Sequence, residues 1–317
     1  VLGLDRVKGM GGVVDMATSD YDVVSQSLIY VEQPVTGVLR ALVCPPAEQT
    51  PPPFVSAEVA NLNAVHWDVQ GAYEAVEQVW DFFTAPGTFG KMMDDAAVAP
   101  DGPGLHPKDD MIDLLTGQIF MIQDFQKGDD LQQQKLAFLF EVNDEKRMQE
   151  VIGKLTSMEG VDVSVREFRG TKIYESENPP PGQQVSPAVA VGQDYLMFAV
   201  NVELLESLLR GDEGNSLAKS TDFQELRGEF PDKVSTLGFQ RQERVMEALY
   251  AMIRQGIEQD GEVDPNILPD FDAIRKYFCV TGSYSIPDEK GVLPPRSASR
   301  PSDPPRRGES PKNLQSL

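Results

Sequence analysis

The sequence predicts an α+β fold, with largely antiparallel sheets and amphipathic helices on one face, built by a degenerate internal duplication. Three observations predict it. Three times, an apolar helix turn runs through glycine into an apolar strand. Repeatedly, an apolar strand runs through a polar cap into an amphipathic helix. Between these units lie alternating runs joined by short loops with glycine close by, which is a hairpin signal. A helix that is apolar along one stripe needs another layer to cover it, so helices and strands so patterned stack.

In chain order, the first helix turn starts at Leu4 and ends at Gly11-Gly12, with Val13 to Met16 as its strand. Leu28 to Val31 is a strand that feeds a weaker helical stretch from Thr36 to Leu42. Pro45-Pro46 and Pro51-Pro52-Pro53 mark a surface loop, because proline lacks the N–H that a ladder needs. Leu62 to Trp67 is the next strand. Asp68 caps the helix after it, on which Ala72, Tyr73, Val76, Val79, Trp80 and Phe83 share one face.

Met111 to Gly117 is the second helix turn and Gln118 to Ile122 its strand. Leu136 to Val142 runs through Asn143 into a helix with Met148, Val151, Ile152 and Leu155. Val163 to Phe168 and Thr171 to Tyr174 flank Arg169-Gly170 as a hairpin. Ala188 to Val191 and Tyr195 to Ala199 flank Gly192-Gln193-Asp194, and Asn201 caps a helix with Leu204, Leu205, Leu208 and Leu209. Val234 to Phe239 precedes a helix with Val245, Leu249, Met252 and Ile253. Ile274 to Gly282 is the third helix turn, with Ser283 to Ile286 behind it.

These units divide the chain into a first repeat half, 1–100, and a longer second half, 105–291. Pro100-Asp101-Gly102-Pro103-Gly104 is the joint. Residues 292–317 are rich in Pro, Arg and Ser, with five Lys/Arg against two Asp/Glu and few apolar side chains. Such a segment buries too little to repay ordering, so it reads as a disordered tail.

Composition excludes several classes. The 317 residues are 40% hydrophobic, enough for a real core. Lys+Arg number 28 and Asp+Glu 50, so the net charge of −22 disfavours a nucleic-acid backbone or an anionic membrane surface as partner. No apolar run is long enough for a membrane span. Two cysteines, Cys44 and Cys279, support neither a disulfide framework nor a cysteine zinc cluster. They read as buried free thiols, or as one pair in an oxidising compartment.

Candidate chemistry is sparse. His66 ends a strand and His106 sits in the joint, and neither has a ligand or triad motif around it. Gly9-Met10-Gly11-Gly12 lacks the preceding strand and third glycine of a dinucleotide loop, and reads as a helix terminus. Trp67, Trp80, Phe82 and Phe83 read as core, as do Met92, Met93, Met111 and Met121. Asp260-Gly261-Glu262-Val263-Asp264 alternates oxygen ligands loosely like a calcium loop, without its glycine position or closing bidentate Glu. Asp260, Glu262 and Asp264 are the weak metal candidates. No catalytic or cofactor-binding residue, and no cofactor, is assigned.

Four stretches carry a family resemblance. They are Gly3-Leu4-Asp5 with Gly11-Gly12, Pro45 to Val55, Asn63-Ala64-Val65-His66-Trp67-Asp68, and Arg166 to Tyr174. Together they resemble an uncharacterised domain-of-unknown-function family of predicted exported proteins from planctomycete-type bacteria, over roughly residues 1–291. The resemblance implies export to the periplasm or cell surface, with a signal peptide upstream. It also implies a closing apolar strand after Asp288-Glu289-Lys290-Gly291, where this chain has Pro294 onward.

The reading that follows is a non-catalytic structural or protein-binding module of the cell envelope, contacting an unknown protein or envelope component. The alternatives are a carboxylate-based hydrolase, calcium-dependent or not, and a small-ligand or lipid carrier. A deep pocket gathering two acids discriminates the enzyme from scattered surface acids.

Overall fold

The computed structural model describes residues 2–16, 23–100, 102–125, 135–177, 186–260, 268–288 and 291–299. In it, β1 (Val7–Met16) and β2 (Val23–Val31) precede β3 (Asn61–His66), α1 (Val69–Phe83) and α2 (Thr88–Ala97). Next come β4 (Leu115–Asp124), β5 (Lys135–Val142) and α3 (Glu145–Thr156). The strands β6 (Val163–Phe168), β7 (Thr171–Ser176), β8 (Ala188–Gly192) and β9 (Tyr195–Ala199) lead into α4 (Val202–Arg210) and α5 (Thr221–Gly228). Last are β10 (Thr236–Arg241), α6 (Gln242–Asp260), α7 (Phe271–Ile274), β11 (Val280–Asp288) and β12 (Gly291–Ser299).

The strands form one sheet in the order β1-β2-β12-β11-β10-β3-β4-β5-β9-β8-β7-β6. Every neighbouring pair is antiparallel. The α+β class and the antiparallel pairing are those expected. The joint at 100–104 does not divide the sheet, however. β3, from the first expected half, pairs with β10 on one side and β4 on the other, both from the second. Sequence repeats mark local units, whereas pairing between distant strands closes the sheet.

Successive side chains on a strand face opposite ways, and that alternation separates two cores. Leu62, Phe120, Ile122, Ala137, Leu139, Ile173, Ala190 and Met197 pack with Leu204, Leu205, Leu208 and Leu209 of α4 and with Phe223 and Leu226 of α5. On the opposite face, Val142 and Val191 pack with Met148, Val151 and Ile152 of α3. Helices therefore cover both faces rather than one. The reason lies in β8 and β9, where both alternating sets are apolar: Ala188, Ala190, Met197 and Ala199 on one side, Val189, Val191 and Leu196 on the other.

Capping follows the expected chemistry, with one shift. Asp68 accepts from Gly71 N–H and Asn201 from the N–H groups of Glu203 and Leu204. For α3 the cap is Asp144, accepting from Arg147 N–H, while Asn143 donates to the Asp113 carbonyl. Both tight hairpins turn with positive φ at their two central residues, Arg169 (52°) with Gly170 (83°) and Gln193 (57°) with Asp194 (65°). That is the turn whose twist matches the strands.

Three expectations are corrected. The glycines 9, 11 and 12 lie inside β1, because the opening helical turn spans Leu4–Arg6 and ends before them. Residues 292–299, expected as the start of an unstructured tail, belong to the strand β12 between β11 and β2. Pro294 and Pro295 are accommodated because they fall where the register shifts against both neighbours, so no ladder N–H is demanded of them. Residues 300–317 lie outside the described residues. Finally, Trp80, Phe82 and Phe83 are 44%, 62% and 66% exposed. The buried face of α1 is Val69, Gly71, Ala72 and Ala75, in its first half.

Candidate functional site

A cleft of about 310 Å³ opens where the loop Ala47–Thr50 crosses the ends of β3, β4, β5 and β9. It is lined by Ala47, Glu48, Thr50, His66, Thr116, Gln118, Phe120, Glu141 and Tyr195. Alternation explains why these side chains meet. His66 continues the Leu62–Ala64 row, Glu141 the Ala137–Leu139 row, and Tyr195 the Met197–Ala199 row, all on the α4 face. Polar groups replace apolar ones at the end of each row.

A bulge in β4 shapes the floor. Leu115 pairs with Val142 and Ile119 with Phe140, so Thr116, Gly117 and Gln118 together face Glu141 alone. Gly117 holds a φ of 94°, and a Cβ there would lie 2.2 Å from the Trp67 carbonyl oxygen, so no other residue fits. Bulges re-aim side chains, and here Thr116 and Gln118 both reach the cleft. Thr116 Oγ1 donates to Glu141 Oε2 at 2.6 Å.

Beneath the floor lies a buried amide pair. Gln118 Nε2 donates to Gln49 Oε1 at 2.9 Å. Gln49 Nε2 in turn donates to the carbonyls of Val234 at 3.1 Å and Ser235 at 2.9 Å. Gln49 is 1% and Gln118 9% exposed. Buried polar groups that are fully bonded rigidify what they hold, and this pair ties the loop to the sheet. Ala47 adds an antiparallel bridge to Val234, through N–H to O contacts of 3.0 and 2.9 Å.

The walls are electrostatically mixed. Burial, reinforced by the charges of Glu141 and Asp194, pushes the Tyr195 phenol well above its ordinary range, so it stays a neutral O–H donor. Tyr195 packs edge-on against Phe54 and Phe120, with ring centroids 5.5 and 6.1 Å away. Glu48 and Glu141 bring two carboxyl groups, His66 an imidazole, and Thr50 a hydroxyl. The lining contains no lysine or arginine. Next to the cleft, Asp68 pairs with Arg40 at 2.5 Å. Burial raises its proton affinity, but the Gly71 N–H and the Arg40 guanidinium outweigh that and hold the carboxyl below its ordinary value.

Of the sequence-predicted candidates, Asp260 is the last residue of α6. Glu262 and Asp264 lie outside the described residues, so the calcium-like loop is not placed. Among the described residues, no three or more His, Cys, Asp or Glu side chains converge to hold a metal ion. His66, read as a strand-end packing residue, instead lines the cleft, while His106 accepts from Asp109 N–H at 3.2 Å and caps its own turn. Neither cysteine is in a disulfide. They lie at opposite ends of β10: the Cys44 carbonyl accepts from Ser235 Oγ, and the Cys279 carbonyl accepts from Gln242 N–H. Seven residues of near-extended chain, at about 3.3 Å each, separate those points, far beyond disulfide reach.

Sequence reasoning missed Gln49, Thr116, Gln118, Glu141 and Tyr195. The available signal was a charged or amide side chain at the inward position of an otherwise apolar row, as in Ala137, Leu139, Glu141. A second concavity, an apolar groove of about 360 Å³, is lined by Val38, Ala41, Val76, Val79, Trp80 and Phe83. Comparison with protein-family models, with curated proteins and with solved structures returns no match.

Proposed function

We propose that this chain is a non-catalytic binding protein that takes a small polar ligand in the cleft between the Ala47–Thr50 loop and β3, β4, β5 and β9. One observation carries the reading: a concave site of ligand size combines a locked, buried amide floor with a few convergent polar groups. The bulge around Gly117 and the Gln49–Gln118 pair are costs of stability that a plain sheet end does not need. They are consistent with a preorganised site. The resemblance to a family of predicted exported proteins supports a place in the periplasm or at the cell surface, where an envelope component is the partner we propose.

The histidine signals report on this directly, since the chain contains only His66 and His106. Small polar fragments screened by NMR against the full chain are expected to move the His66 ring signals and leave those of His106 in place. A screen in which no fragment moves His66 ends the reading. Carboxylate-based hydrolysis is the second reading, favoured by Glu48 and Glu141 sharing one cleft. It requires turnover of a bound fragment that Glu141→Gln abolishes without abolishing binding.

A further inference from the structure

We infer that the ligand of this cleft is a small organic ammonium compound, an inference that rests on the cleft being a binding site. The donor and acceptor inventory leads there. The lining carries the carboxyl groups of Glu48 and Glu141, with no lysine or arginine to neutralise them. Glu141 takes one hydrogen bond from Thr116 through Oε2. A carboxylate carries about four lone-pair sites, so most of its accepting capacity remains for a donor from the cleft.

The aromatic wall points the same way. Phe120 and Tyr195 lie edge to face beside the carboxyl groups. Phe120 is only 1% exposed, so the half-buried Tyr195 ring beside Glu141 is the aromatic surface left for an ammonium group, which ring quadrupole and carboxylate charge attract together. The chain's net charge of −22 adds a long-range field that draws cations and repels anions.

Size and ligand count separate this from a metal ion. Among the described residues no set of three His, Cys, Asp or Glu side chains converges. The cleft of about 310 Å³ is also far larger than a bare ion needs. An amine with a short carbon chain satisfies both ends: its charged head against Glu141 and Glu48, its methylenes against Tyr195 and Ala47.

The test uses the full chain, 1,4-diaminobutane as cation, 1,4-butanediol as its neutral counterpart, and calcium chloride. Binding is read from the His66 ring signals, assigned with His106→Asn. The diamine is expected to bind about tenfold or more tightly than the diol. Glu141→Gln, which keeps the acceptor for Thr116, and Glu48→Gln, on an exposed loop residue, are each expected to remove that preference. Equal response to diol and diamine overturns the ammonium inference and leaves the cleft as a binding site. No response of His66 to either, up to about 10 mM, overturns both. Calcium that displaces the diamine from the same site overturns the organic class of the ligand.

Discussion

Thr116 donates its hydroxyl to Glu141 across the β4–β5 pair, 2.6 Å from oxygen to oxygen, and the bond exists because Gly117 bulges the strand. Replacing Gly117 by Ala puts a methyl against the Trp67 carbonyl at a φ that L-residues avoid. The expected loss is about 2–3 kcal/mol in chemical denaturation, from strain and from the displaced carbonyl. A variant as stable as the parent contradicts the bulge geometry.

Asp68 gives the chain a defined acid response. Its carboxyl is held below the ordinary value of 3.8 in the folded state and returns to it on unfolding. A depressed folded value means the stabilisation is complete above the ordinary value and is lost as pH falls through the folded one. Asp68→Asn should therefore lower the melting midpoint near neutral pH, and the gap to the parent should close on acidification. A gap that widens toward low pH reverses the sign and refutes the assignment.

Leu205 and Trp80 sit on helices with similar apolar patterns but in opposite environments. Leu205 is 0% exposed between α4 and the sheet, and Trp80 is 44% exposed. Leu205→Ala should cost about 3 kcal/mol through the cavity it leaves. Trp80→Ala should cost about 1 kcal/mol or less. Equal losses in urea titrations would place Trp80 in the core after all.

Shortening the chain to end at Lys290 removes β12 and leaves β11 and β2 without their shared neighbour. Amide hydrogen exchange should then accelerate in Val23–Val31 and Val280–Asp288, while Asn61–His66 and Leu115–Asp124 keep their protection. Unchanged exchange in β2 and β11 counts against the pairing.

Periodicity and caps were readable because they are local. The alternation in Leu136 to Val142, the four leucines after Asn201 and the turn at Arg169-Gly170 each specify an element within about a dozen residues, and each is found where its pattern lies. The three-residue carboxyl-to-amide spacing of Asp68 and Gly71 likewise needs no distant partner.

Other features depend on contacts between residues far apart in the chain. Gln49 meets Ser235 across 186 positions and Gln118 across 69, so nothing near Pro45 to Pro53 announces a buried amide pair. The aromatic end of α1 repeats the helical pattern of a core helix, yet its burial depends on whether another layer reaches it. The proline-bearing stretch from Val292 to Ser299 has the composition of a loose tail, but the edges of β11 and β2 supply a backbone ladder for it. Local propensity thus decides which segments are helix or strand. Burial and convergence are settled by long-range pairing, because desolvation and hydrogen-bond partners come from the rest of the chain.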